Sequence, residues 1–425
     1  MVDNQLYKTD SIISGIQESK NITEHVLSVC LNIFKKYFEG KDYSLFSWGG
    51  VARREMGPFS DLDLIILSKR PSKRKIELFK KEVQHLLPSH RLDILEVYTI
   101  RELQRLAQID GTDRQALLFL RKEYGYHNTK MAEKIRKDSR NNLREIFHIC
   151  ANLEFAYPNM FNDRNIKFGE GRIKYYGFVH LLANYIKSDF DIYSTVDAFE
   201  YLSVNRFLDE KIVKKAIESF DVLLGIRNSL QRVAKKEVYV LEEELIGGVV
   251  KDLMITKEEL FLSLRDNKKF ALLLYDYLKK IALDMACEEL DPQDVNYLYD
   301  VFLESSKKAY LKDSVLNMGE ICRVVTAYAT KDSKLLDSLA LHNPYDWYVL
   351  YGIANNTNVK AKTLWRLICY SDDSKAQELY TDFAWRNIYL YIAKNPVASR
   401  DIRKYICNYP KARPMDVEAA LKGLK

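Results

Sequence analysis

A double glycine, Gly49-Gly50, precedes Asp61-Leu62-Asp63 by eleven residues, and the second aspartate opens onto an unbroken apolar run, Leu64 to Leu67. No other stretch of the 425-residue chain constrains the fold as tightly. Tyr43 to Trp48, before the glycines, is short, apolar and aromatic, which suits a strand entering a turn. Asp61 to Leu67 reads as a second strand, alternating at its start and wholly apolar at its end. Arg74 to Leu87 sets Ile76, Phe79, Val83 and Leu86 at helical spacing. Arg91 to Tyr98 alternates again and reads as a third strand of the same sheet.

The rest of the sequence has a different texture. Residues 10–40 carry an apolar stripe from Ile12 to Ile33 at helical spacing. Beyond Thr99 the segments 99–108, 112–123, 128–156, 173–188, 211–236, 257–265 and 268–289 all show helical spacing, and no further strand is evident. Only 16 glycines and 9 prolines are available to break such helices. Gly247-Gly248 is read as ending one. After Asp291 the chain stays helical, and similar junctions recur at Ala340–Pro344, Tyr351–Thr357 and Tyr391–Pro396. With Trp347, Trp365 and Trp385 they suggest stacked helical hairpins, against the alternative of chance capping chemistry or a simple helical cap. The expected class is α+β: a small mixed β-sheet domain followed by mostly α-helical domains.

Two aspartates two apart on a strand point to one face. Asp61 and Asp63 could then share Mg²⁺ (or Mn²⁺), which prefers carboxylate and phosphate oxygens, and Asp93 could bring a third carboxylate from the neighbouring strand. A glycine pair lets backbone N–H groups approach a triphosphate without obstruction by Cβ atoms. Such a set suits in-line displacement at the α-phosphorus of a nucleoside triphosphate, with pyrophosphate leaving.

The segment resembles the nucleotidyltransferase domain of bacterial PII-protein uridylyltransferases and their relatives, in the DNA polymerase β-type superfamily. Their motif runs G-G-x-G-R-x-E-x-x-P-x-S-D-x-D. Here Gly49, Gly50, Arg53, Glu55, Pro58, Ser60, Asp61 and Asp63 match it, with Ala52 in place of one glycine. Arg91 to Ala107 is similar to the strand bearing the third acid and the helix after it. Asn165 to Gly171 resembles the N-I-K-x-G-x-G segment that opens the helical region, although the family's following G-L-R-D is Arg172-Ile-Lys-Tyr175 here. Arg227 to Gln231 resembles R-x-x-L-H, with glutamine for histidine.

The resemblance implies transfer of a nucleoside monophosphate from an NTP to an acceptor hydroxyl. Asp61, Asp63 and Asp93 would be catalytic and hold the metal; Gly49, Gly50, Arg53, Ser60, Asn165 and Lys167 would meet the nucleotide. Residues 1–40 would form an N-terminal helical segment, 41–125 the catalytic domain, 126–290 a helical substrate-binding domain and 291–425 a C-terminal helical domain. The last shows neither the His-Asp metal pattern of a phosphohydrolase nor the strands of a small-molecule sensor, so neither activity is expected. A protein acceptor is implied, because the relatives modify a protein. Transfer to an RNA 3′ end or a small molecule is the alternative within enzymes, and a non-catalytic scaffold the alternative outside them; three intact acids argue against the scaffold.

Charge adds little. The net charge of +6 is small for this length. The run Lys69 to Lys81 and the bases Lys134, Arg136, Lys137, Arg140 and Arg144 are read as solvated helix faces, with an RNA backbone or triphosphate tail as the alternative for the first. Six scattered cysteines suggest neither zinc site nor disulfide framework. No leader or membrane-spanning run is evident, so a soluble cytoplasmic protein with no membrane partner is expected.

Overall fold

The computed structural model describes residues 14–39, 43–68, 70–90, 92, 94–99, 120–125, 142–187, 191–302, 315–316, 318–371, 382–410, 412 and 414–424. Its N-terminal part is a four-stranded mixed sheet with helices. Helix α1 spans Gly15–Phe38, where the Ser14 hydroxyl accepts from Gln17 N at 3.1 Å and caps the first turn. Strand β1 (Tyr43–Ser47) leads through the short helix α2 (Gly49–Arg53) to β2 (Asp63–Ser68), then α3 (Lys73–Leu86) and β3 (Ile94–Tyr98). A fourth strand, β4 (Arg121–Gly125), completes the order β3-β2-β1-β4. β1 is antiparallel to β2 and β4, and β2 is parallel to β3.

The apolar run of β2 is explained by burial on both faces. Leu64 and Ile66 join Leu45, Phe34, Phe38 and Phe79 in a core under α1 and α3, while Ile65 and Leu67 are buried on the opposite side. β4 falls in a segment whose spacing predicts helix, so that reading is corrected. Its Arg-Lys-Glu-Tyr-Gly has no apolar face of its own and becomes a strand through its pairing with β1. Gly125, at φ +110, closes that pairing: a Cβ there would stand 2.4 Å from the Tyr43 carbonyl oxygen. Of the segments read as helical, 100–108, 112–119 and 128–141 lie outside the described residues.

The remaining chain is largely helical. A single hydrophobic core runs from Leu143 to Ala420 and passes without a break from residues before 290 to residues after it. The segments 257–265 and 268–289 are one helix, Lys257–Ala286, started by a capping box at Thr256 and Glu259. Gly247 and Gly248 do not end a helix; they lie inside one, Glu243–Asp252. A Cβ on Gly248 would come within 2.5 Å of Val233 Cγ1, so glycine there permits close helix packing rather than termination. Arg144 is likewise not on a solvated face. It is buried, pairs with Glu320 at 3.0 Å and with Asp346, and lies 4.9 Å from the Tyr348 ring centroid. Lys134, Arg136, Lys137 and Arg140 lie outside the described residues, while Lys73, Arg74 and Lys81 of the first basic run are exposed.

Toward the C-terminus, helices Glu320–Ala329, Trp347–Asn355 and Asp382–Lys394 pack in succession, with Ser333–His342 and Ala361–Ser371 beside them. The Asn356 amide donates to the carbonyls of Ala327, Tyr328 and Thr330 at 3.1, 3.0 and 2.9 Å. Asn395 does the same one hairpin later, donating to Ala354 and Asn356 at 2.9 and 3.0 Å. Each asparagine satisfies helix-end carbonyls that no intrahelical N–H can reach. Among the described residues no helix is long and apolar enough to cross a membrane.

Sheet and helices meet where α1 crosses helix Glu210–Ala234. Gly15 is required by that crossing: a Cβ there would be 2.2 Å from Gly225 N and 2.4 Å from the Asp221 carbonyl. Beside it, Asp221 accepts from Ile16 N at 2.8 Å, and Asn228 donates to Glu18 at 3.0 Å.

Candidate active site

The double glycine forms the start of α2, and Gly49, at φ +57, sits directly over Asp63. A Cβ on Gly49 would be 2.3 Å from Asp63 Oδ2, so only glycine leaves room for the carboxylate. The backbone ties the two together as well, Trp48 N donating to Asp63 O at 3.1 Å. The other end of α2 is fixed from β4. Arg54, at φ +62, donates to both Glu123 oxygens at 3.0 and 2.8 Å, and Arg121 donates to Ala52 O at 3.3 Å.

The loop from Glu55 to Ser60 is held by the helical region. Arg53 pairs with Glu55 at 2.7 Å; Glu55 also accepts from Thr195 N at 3.0 Å, and its carbonyl accepts from Arg227 at 2.8 Å. Arg53 and the Thr195 amide outweigh burial and keep the Glu55 carboxyl below its ordinary range. Gln231 accepts from Phe59 N at 3.1 Å and would collide with any side chain on Gly57. The residues that resemble R-x-x-L-H thus dock the loop carrying the acids. Ser60 Oγ accepts from Gly57 N at 2.7 Å, and Ser60 O lies 3.0 Å from the His90 ring.

Asp61 and Asp63 flank the buried Leu62, and both feel the charge of Lys167. Burial pushes Asp63 up to about 6, against the pull of Lys167 and Arg53, and Glu237 adds to the rise. Asp93 lies outside the described residues; Ile94, which follows it, is the β-ladder partner of Asp63. Among the described residues no group of three or more His, Cys, Asp or Glu could hold a metal ion.

Lys167 is delivered by a knot that explains the N-I-K-x-G-x-G pattern. Asn165 Oδ1 accepts from Lys167 N and Phe168 N at 3.0 and 2.8 Å, and the Asn165 backbone bridges Val240. Its side-chain oxygen therefore shapes the turn. A Cβ on Gly169 would be 2.5 Å from Asn165 O, and one on Gly171, at φ +67, 2.9 Å from the Lys268 backbone. The Lys167 ammonium then lies 3.0 Å from Tyr239 OH.

Sequence reasoning missed Lys174, Glu237 and Tyr239 at this site. Lys174 replaces the arginine of G-L-R-D. Burial, with Lys167 and Arg53 nearby, lowers it to about 7, while Asp63 and Glu55 oppose that fall. The departure Arg172-Ile-Lys-Tyr175 is the one sequence signal that could have found it. Glu237 and Tyr239 are brought in by the Asn165–Val240 bridge, which no local pattern announces.

The nucleotidyltransferase domain family, of the DNA polymerase β-like superfamily, matches residues 27–117, which cover α1 to the segment before β4. No curated protein matches the chain.

Proposed function

We propose that the chain is a metal-dependent nucleotidyltransferase of the PII-uridylyltransferase-like kind, moving a nucleoside monophosphate from an NTP to a hydroxyl on a protein. The nucleotidyltransferase domain supports transfer from an NTP. The observation that carries the fuller reading is Asp63 lying under the Gly49 turn, with Lys167 within electrostatic reach of both Asp63 and Asp61.

The residues fit a hard divalent cation. Asp63 is a carboxylate whose ionisation burial disfavours, in a cradle that a Cβ on Gly49 would fill, and Asp61 adds oxygen donors. Asp61, Asp63 and Asp93 would hold Mg²⁺ or Mn²⁺, which supplies charge neutralisation at the transferring phosphoryl group. Gly49 and Gly50 give the phosphates room, and Ser60 keeps its hydroxyl hydrogen for a phosphate oxygen because Oγ already accepts from Gly57 N. Lys167, with Arg53 and Lys174 close by, faces the polyphosphate. Asn165 acts through Lys167. The acceptor hydroxyl would pass its proton to a carboxylate, for which Asp93 is the candidate, as its oxygen bonds to the α-phosphorus and the bond to pyrophosphate breaks.

Residues 41–125 are assigned to catalysis, 126–290 to substrate binding and 291–425 to a stack of helical hairpins. The equivalent work of Asn356 and Asn395 supports that stack. The chain as read here makes its product and does not remove it.

The test offers each radiolabelled NTP with Mg²⁺ to the purified chain plus cell lysate. Label entering protein supports the reading, and label in RNA or a metabolite replaces the acceptor. No labelling with any NTP returns the chain to the scaffold alternative.

A further inference from the structure

We infer that Tyr239 is a positioning residue of this site, anchoring the Lys167 ammonium beside Asp61 and Asp63 where it meets the polyphosphate of the bound nucleotide. The inference deepens the nucleotidyltransferase reading and rests on it.

A lysine ammonium is a compact charge on a flexible four-carbon stem. Next to two carboxylates it would fold onto them unless something else held it. Here the holder is on the page. Lys167 Nζ donates to Tyr239 OH at 3.0 Å and lies 4.1 Å from the same ring's centroid. Tyr239 OH in turn donates to Glu237. The order of donors is forced: the ammonium has no lone pair, so the phenol oxygen accepts from it and spends its single hydrogen on the carboxylate. Burial pushes the phenol up to about 12, so it keeps that hydrogen throughout the physiological range.

The backbone makes the same connection. Ile166 N donates to Tyr239 O at 2.7 Å, so the strand-like segment carrying Tyr239 is registered against the one carrying Lys167. Glu237, which accepts the phenol's hydrogen, acts electrostatically on both Lys167 and Asp63. The result is an ammonium anchored by a neutral hydroxyl while it stands within electrostatic reach of Asp61 and Asp63. Held in this way, the ammonium can meet phosphate beside those acids.

The test measures equilibrium binding of radiolabelled ATP and UTP with Mg²⁺, then the KM and kcat of labelling with lysate acceptor. Tyr239→Phe keeps the ring and removes both hydrogen bonds. We expect nucleotide affinity to weaken about tenfold, KM to rise with it, and kcat to stay within about twofold. In a Lys167→Met background the same change should add nothing, since there is no ammonium left to hold. Glu237→Gln should give a smaller loss than Tyr239→Phe. Unchanged affinity and KM in Tyr239→Phe overturns the inference while the parent reading stands. Equal losses with and without Lys167 also overturn it, showing that Tyr239 serves only the fold. A wild-type chain that binds and turns over neither nucleotide sinks the parent reading and this inference together.

Discussion

Asp63 in the sheet region and two histidines in the helical region meet burial in opposite ways. Under the sheet, Asp63 is kept where burial opposes its charge and raises it to about 6. In the helical region, His148 and His180 are kept neutral, burial lowering them to about 3 and about 4. His148 packs among Tyr328, Tyr348 and Tyr351, and His180 meets the Ile192 carbonyl at 2.6 Å; both serve packing. The difference teaches what each kind of group asks of its surroundings: the buried carboxylate leans on the positive charge of Lys167 and Arg53, whereas a neutral histidine needs only its neighbours.

Four experiments probe that contrast. The largest effect is expected from Asp61→Asn with Asp63→Asn, which should cut transfer by about three orders of magnitude or more, since charge stabilisation of the phosphoryl group is removed. Asp63→Asn alone should also raise the melting temperature at pH 7, because it deletes a charge that burial opposes. A drop in stability would show that Asp63 is a structural ion-pair member and break the contrast.

Ending the chain after Leu290 is the next test. The core shared across that point would be opened, exposing apolar surface, so the fragment should aggregate on expression. A soluble fragment that still labels its acceptor would show that the helical region divides after all.

Asn356→Ala is smaller. It leaves three helix-end carbonyls buried without their donor and should cost about 1–3 kcal/mol in denaturant unfolding. Transfer per folded molecule should not change, and Asn395→Ala should behave alike.

The smallest signal is in pH. The unfolded chain protonates histidine as pH falls below 6.5, while His148 and His180 resist until about 3 and about 4. Their stability is present above pH 6.5 and is lost as pH falls through those folded values. Asp63 has the opposite sign: it takes its proton near pH 6, ahead of the unfolded carboxyl at 3.8, so acidification relieves it. Hydrogen exchange between pH 6.5 and 4 should therefore show the helical region around His148 loosening while β2 does not. Parallel loosening of both would contradict the assignment.

Much of the sheet was legible because its signals are local. Leu64 to Leu67 is apolar on both strand faces, and Gly49-Gly50 and the two aspartates lie within one stretch. β1, β2, α3 and β3 therefore fall close to where period and punctuation put them, whereas the Gly49-Gly50 turn is the start of helix α2 and Asp61, read as part of the second strand, lies just before β2. β4 was not legible, since Arg121–Gly125 takes its conformation from β1. The site splits in the same manner. Gly49, Asp61 and Asp63 announce themselves, whereas Tyr239 and Glu237 matter only through a bridge between residues 165 and 240. Lys174 is an intermediate case, visible only as a departure from a motif. In the helical region Gly248 misleads because a glycine that admits a neighbouring helix looks, in one dimension, like one that stops its own.

The glycine crossing at Gly15 and Gly225 has a consequence for synthesis. Both ends of that contact must exist before α1 can seat against Glu210–Ala234, and the same helix pins the Glu55–Ser60 loop through Arg227 and Gln231. A ribosome therefore releases the two aspartates long before it releases what aligns them. The emerging polypeptide carries the two aspartates without the lysine, tyrosine and clamp that surround them in the fold, and these groups come together only once the helical region has left the exit tunnel.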